Sequence, residues 1–216
     1  RDEHIGKDPS TVRKTQSFNL PVRILNAGPN KGRYRVPCGS VFYTCFSSDF
    51  FHRDADEWRN DAWNMIRKRS DCTFFMITKR PERIAEHLPS DWNSGWNHVH
   101  IAVTCENQDM ADKRLPVYLP LPLRHHSIMV EPMLTSVDLR RYFRNYQGII
   151  ESVSCGGESG PEARICEFSW VLDLRRQCVE NRISFTYHQT GTMLLKDEKV
   201  YRIPRNRQHE QAAKAK

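Results

Sequence analysis

Six apolar runs along the chain are each followed by side chains that can donate, accept or ionise. Ser47, Ser48 and Asp49 follow the first, and Thr78, Lys79 and Arg80 the second. Thr104, Glu106 and Asn107 follow the third, and Glu131 and Pro132 the fourth. The fifth leads into Gly156-Gly157-Glu158-Ser159-Gly160, and the sixth into His188, Gln189, Thr190 and Gly191. In parallel α/β proteins the loops at the carboxyl ends of the strands converge and helix N-termini point at them, so polar groups there build ligand sites. Gly156 and Gly157 would let a ligand approach the backbone closely. Glu158 would take an amine or hydroxyl, and exposed N–H groups an anion. Each position also has a structural use. Asp49 can cap a helix, and Lys79 and Arg80 can be solvated surface charges. Glu106 or Glu131, if buried, needs an arginine partner. His188 can be a structural histidine, and the glycine pair can serve a tight turn.

Other chemistries find little support. His125 and His126 are adjacent, so their rings point to opposite faces of a strand. His98 and His100 share a strand face but have no third ligand close in sequence. No HExxH, P-loop, EF-hand or GxSxG motif occurs, and no metal ligand set is assigned. The seven cysteines are odd in number, scattered and without CxxC spacing. Cys45, Cys72, Cys105 and Cys155 sit in or beside apolar runs. That pattern is expected of reduced, mostly buried thiols in a cytoplasmic protein. No apolar run reaches membrane-spanning length, and no signal peptide opens the chain. Arg1 in place of Met is read as a sign of a segment lying upstream.

The elements that would position these groups alternate regularly. Strands are predicted over Val41–Phe46, Cys72–Ile77, Val99–Val103, Ser127–Val130, Ile149–Ser154 and Ile183–Tyr187. Helices are predicted over Asp54–Arg69, Pro81–Leu88, Gln108–Leu115, Val137–Tyr146 and Glu167–Glu180, with Asn107 as an N-cap. In the first helix Trp58, Ala62, Met65 and Ile66 form the predicted inward face. In the last, Phe168, Val171, Leu172, Cys178 and Val179 do. Strand–helix alternation implies a parallel sheet buried on both faces, which explains the continuously apolar runs. The sheet could be doubly wound or barrel-like. Six units without a dinucleotide-binding glycine fingerprint favour a partial (β/α)6 TIM-like barrel. At 216 residues one α/β domain is expected: an irregular connection over 1–37 with a short helix or turn near Ser10 to Lys14, a barrel core over 38–192, and a basic tail over 193–216. The net charge of +7 permits nucleic acid or another anionic partner. The tail's share of that charge is expected on a solvated, fraying terminus.

Several phrases are recognisable as a set. They are Thr44-Cys45-Phe46-Ser47-Ser48-Asp49 with Phe50-Phe51 and Asp56-Glu57-Trp58-Arg59, then Ile77-Thr78-Lys79-Arg80, then Thr104-Cys105-Glu106-Asn107-Gln108 with Ala111-Asp112 and Arg114-Leu115-Pro116. Glu131-Pro132-Met133-Leu134 and Gly156-Gly157-Glu158-Ser159-Gly160-Pro161-Glu162-Ala163-Arg164 complete it. Nearly the whole chain thereby resembles the uncharacterised phage gene-product thirty-seven/sixty-eight family, itself similar to radical S-adenosylmethionine enzymes. The family shows a lysine where this chain has His188. The resemblance implies a barrel of radical-enzyme type and a three-cysteine motif for a [4Fe–4S] cluster. That motif is missing here: Cys38 and Cys45 echo its spacing, with Ser48 in the third place. The resemblance thus implies S-adenosylmethionine and [4Fe–4S] for a full-length protein, and no cluster in this chain. It places Ser48, Asp49, Thr78, Lys79, Arg80, Thr104, Glu106, Asn107, Glu131, Gly156, Gly157, Glu158, Ser159 and Gln189 around the cofactor and an unidentified substrate. Two other functions fit the same sequence: a phage-associated nucleic-acid-binding or processing protein, and a catalytically silent partner subunit.

Overall fold

The apolar runs take up strand geometry and the periodic segments between them coil into helices, in the alternation their patterning dictates. The computed structural model describes residues 12–46 and 48–215. Ser47 and residues 10–11 of the turn expected near Ser10 lie outside them, and residues 12–14 form no regular element. The strands are β1 (Val41–Thr44), β2 (Thr73–Thr78), β3 (Val99–Thr104), β4 (His126–Val130), β5 (Ile150–Gly156), β6 (Ile165–Glu167), β7 (Ser184–Gln189), β8 (Met193–Lys196) and β9 (Lys199–Arg202). The helices are α1 (Asp56–Lys68), α2 (Gln108–Tyr118), α3 (Arg140–Asn145), α4 (Phe168–Glu180) and α5 (Gln208–Lys214). Six strands form an all-parallel sheet in the order β1-β2-β3-β4-β5-β7, and β6-β8-β9 form a second sheet. Sheet order follows chain order, whereas a doubly wound sheet reverses at a switch point. The winding is therefore that of a barrel wall, with β1 and β7 at its two ends.

The chain divides into two compact units: Arg1–Ile101 with Pro122–Arg124, and Ala102–Leu121 with His125–Lys216. In the first unit, α1 opens on Asp56 and Glu57 and closes on Arg67 and Lys68, a charge order that suits the helix dipole. Its buried face is Arg59, Trp63 and Ile66. The predicted face of Trp58, Ala62 and Met65 is instead a half-buried flank, one residue round the helix. Arg59 displaces it because its guanidinium satisfies loop carbonyls, with Nε on Phe50 O at 3.1 Å and Nη2 on His52 O at 2.8 Å. Trp63 packs on Phe50 and Trp92 with ring centroids 4.9 and 5.5 Å away, and its indole N–H donates to His87 O at 2.8 Å. The predicted helix after Pro81 is two 3-10 turns, Pro81–Arg83 and Ala85–His87. The first strand stops at Thr44 because Cys45 takes a left-handed conformation, φ 58°.

In the second unit, Asn107 caps α2 as predicted, its side-chain oxygen accepting from Met110 N at 2.9 Å. The buried face of α4 is Phe168, Val171, Leu174, Gln177 and Cys178. Leu172 and Val179, predicted inward, are 46% and 61% exposed. A glutamine takes the core position because its amide accepts from Leu139 N at 2.8 Å and donates to Val137 O at 2.9 Å. The same contacts hold Val137–Leu139 out of helix, so α3 begins later than predicted. The expectation of a fraying tail is overturned: β8 and β9 pair through a two-residue turn, Asp197 and Glu198, both at positive φ as such hairpins require. α5 then buries Gln208 and Ala212. Five cysteines are buried, while Cys38 and Cys45 are exposed, so the expectation of a buried Cys45 is corrected. Among the described residues, no helix is long and apolar enough to cross a membrane.

Two histidines make the fold acid-sensitive. His126 is 5% exposed, lies edge-on to Tyr118 at 5.3 Å, and its Nε2 has no partner among the described residues. Burial holds its pKa below the ordinary value, and does the same to His98. Both stay neutral when folded while the unfolded chain takes up protons below pH about 6.5. Their contribution is intact above that pH and is lost as pH falls from there towards the lowered folded values. The unfolding free energy from urea titrations is expected to drop between pH about 7.5 and about 5.5, by at most about 1.4 kcal/mol per pH unit for each group. His126→Phe should flatten the drop; an equally steep drop in that variant would remove His126 as a cause.

Candidate functional site

The strand-end residues of the first unit lock to one another. Asp49, 8% exposed, accepts from Phe51 N and Thr78 Oγ1 through Oδ1, both at 2.9 Å. Its Oδ2 accepts from Lys79 N at 2.9 Å and Arg80 Nη1 at 2.8 Å. Arg80 N in turn donates to Thr78 Oγ1 at 2.9 Å. Four donors saturate one carboxylate, and the guanidinium neutralises it. This joins the ends of β1 and β2. Ser48 is exposed beside it.

Two acids of the second unit are likewise matched by arginines. Glu106 meets Arg114 Nη1 at 2.5 Å, and that nitrogen also donates to Thr104 O at 2.8 Å. Glu158 receives Arg164 Nε and Nη2 in a fork, both at 2.7 Å, and Arg164 N at 3.0 Å. The amine or hydroxyl expected at Glu158 thus meets a carboxylate already engaged by a guanidinium of its own loop.

Glu131 differs. At the end of β4 it accepts from His188 Nδ1 at 3.0 Å and from Gln189 Nε2 at 2.6 Å, both at the end of β7. A carboxylate only accepts, so His188 Nδ1 carries the proton of this bond and Nε2 takes no part in it. The Glu131 side chain is 20% exposed and that of His188 39%. The network continues: Ser159 Oγ lies 3.0 Å from Gln189 Oε1 and 2.5 Å from Gln208 Oε1, and its single proton serves one of these two acceptors at a time. Gln208 Nε2 donates to Thr192 Oγ1 and Ile203 O, both at 3.1 Å. The C-terminal segment therefore buttresses the cluster.

The glycine pair is used by the protein itself. A Cβ on Gly156 would lie 2.7 Å from the Glu131 carboxyl carbon, and one on Gly157 2.3 Å from Thr190 O. Gly156 makes room for the carboxylate, and Gly157 lets the end of β5 touch the loop after β7, where its N–H donates to Gln189 O at 3.0 Å. Behind the cluster, burial pushes the Tyr187 hydroxyl far above its ordinary pKa, aided by Cys166, Cys155 and Glu131. That hydroxyl is buried without a partner among the described residues.

Sequence reasoning missed Arg114, Arg164, Thr192 and Gln208. The last two had a visible signal: Met193-Leu194-Leu195 and Val200-Tyr201 around Asp197-Glu198 form a hairpin pattern that carries the chain back to the cluster.

Together these features define a parallel α/β protein of barrel-wall winding with a carboxylate–imidazole–amide cluster at the carboxyl ends of β4 and β7. The chain belongs to a family of proteins of unknown function, DUF5131, whose model matches residues 12–215. Among curated proteins and among solved structures, none matches it.

Proposed function

We propose that the cluster around Glu131 binds the cationic part of a small ligand, and that this ligand is S-adenosylmethionine, in a protein of radical-enzyme type. One observation carries the reading. Of the strand-end acids, Asp49, Glu106 and Glu158 each hold an arginine, whereas among the described residues Glu131 is met by His188 and Gln189 and by no arginine. Neither an imidazole nor an amide is the permanent cation that a guanidinium is, and the carboxylate lies in a partly desolvated place. An ammonium or sulfonium group supplies the missing charge and a charge-assisted contact. Gln189 and Ser159 orient the carboxylate, and His188 Nε2 can accept or deliver a proton to the ligand.

The cysteines described do not fit a [4Fe–4S] cluster. Cys38 and Cys45 are the exposed pair. Burial pushes Cys105, Cys166 and Cys178 up to about 12 and Cys155 well above its ordinary value, which disfavours the thiolates that iron requires. The proposed role of this chain is therefore to bind and orient the ligand.

Titration calorimetry tests the reading. Wild type is expected to bind S-adenosylmethionine, and Glu131→Gln, which keeps the shape and loses the charge, to bind about tenfold to a hundredfold more weakly, a loss of about 1.5–3 kcal/mol. Equal affinity of the two proteins would remove Glu131 from the site.

A further inference from the structure

Positive charge is also concentrated in the N-terminal segment of the sequence. Between Asp8 and Asp49 the sequence has no Asp or Glu, yet carries Arg13, Lys14, Arg23, Lys31, Arg33 and Arg35. Residues 23–35 fold back on themselves: Leu25 N donates to Arg33 O at 2.9 Å, Arg35 N donates to Arg23 O at 2.7 Å, and Ile24 bridges Tyr34. Arg13, Lys31, Arg33 and Arg35 are exposed and make no ion pair among the described residues. In the basic tail, Arg207 and Lys214 both face Glu210, and Asp197 and Glu198 interrupt the basic residues of the sequence.

Aromatic rings interleave with this charge. Tyr34 stands between Arg33 and Arg35, 41% exposed, with the Arg69 guanidinium stacked 4.3 Å from its ring centroid. Tyr43 on β1, one end of the parallel sheet, is 67% exposed, and Phe46 in the turn that follows it is 47% exposed. Their centroids are 5.0 Å apart, and Phe75 lies 6.3 and 6.0 Å from them. From Tyr34 to Tyr43 the chain spans at most about 30 Å, the reach of a few nucleotides. Exposed rings gathered into a patch mark an interaction surface. A lipid surface is met by an amphipathic helix, whereas this segment is hairpin and strand.

We infer that the hairpin of residues 23–35 and the exposed rings of β1 and the turn after it bind single-stranded nucleic acid, with the arginines on phosphates and Tyr34, Tyr43 and Phe46 stacking on bases. The inference stands apart from the Glu131 site and involves none of its residues.

Fluorescence anisotropy with labelled oligothymidylate and oligouridylate of about twelve nucleotides tests it, at salt concentrations from about 50 to about 200 mM. Four phosphate contacts predict a log–log salt slope of about −3. Arg33→Ala with Arg35→Ala should bring the slope to about −1.5. Tyr43→Ala should weaken binding about tenfold or more and leave the slope unchanged. All three side chains are exposed and make no side-chain hydrogen bond among the described residues, so the variants should fold. Preference for one oligonucleotide would name the source as DNA or RNA. No binding at low salt, equal binding to polyglutamate or phosphatidylserine vesicles, or an unaffected Tyr43 variant would overturn the inference.

Discussion

Arg69→Ala is expected to lower the unfolding free energy by about 3–5 kcal/mol, a large share of what a domain of this size possesses. Arg69 is wholly buried. Its guanidinium forks onto Asp71, with Nε to Oδ1 at 2.8 Å and Nη2 to Oδ2 at 3.0 Å. It also donates to Val36 O at 2.9 Å and to Pro21 O, and it stacks on Tyr34. One side chain thus satisfies two carbonyls of the N-terminal segment and ties that segment to the turn before β2. Alanine would leave those carbonyls and Asp71 without their donor. Arg69→Lys should lose most of the same stability, because an ammonium cannot reproduce the fork. Urea unfolding followed by circular dichroism measures both. A loss under about 1 kcal/mol would mean that water replaces the guanidinium without penalty and that the segment is not held by it.

Gly157→Ala is expected to cost about 3 kcal/mol or more, at or above the upper end for overpacking. The intruding methyl would meet backbone: Thr190 O at 2.3 Å and Gly191 Cα at 2.9 Å. Gly191 cannot readily yield, because it sits at φ +76° with its own missing Cβ 2.7 Å from Gly157 C. Gly156→Ala should behave differently. Its methyl meets the Glu131 carboxylate, a side chain that can swing aside, so stability should fall less while the Glu131–Gln189 contact is disturbed. Thermal unfolding of the two variants separates the cases. Equal, small losses would show that the end of β5 has slack that the geometry denies it.

Much of the fold was legible because the strands leave apolar runs such as Thr73–Thr78, although the expectation of burial on both faces holds for β4 and not for β1, whose residues alternate between exposed and half-buried. The Asn107 cap was legible for a local reason, since an N-cap depends on its next three residues. What escaped were polar residues in apolar places. Arg59, Arg69 and Gln177 read as surface by type, but each is buried because it satisfies backbone groups, Arg59 those of the loop before its helix and the other two those of distant segments. Periodicity carries no record of such partners, and it therefore set the inward faces of α1 and α4 slightly wrong. At the strand ends, sequence named the polar residues but not their pairing. Glu158 and Glu131 look alike as strand-end acids; Arg164 beside one and His188 beside the other separate them.

Hydrogen–deuterium exchange with and without saturating S-adenosylmethionine tests most directly whether the Glu131 cluster is the ligand site. Slower exchange is expected at Met133, Gly157, Thr190 and Thr192, whose amides donate within the loops around that cluster. Unchanged exchange there, or protection confined to the loops around Asp49, would contradict it.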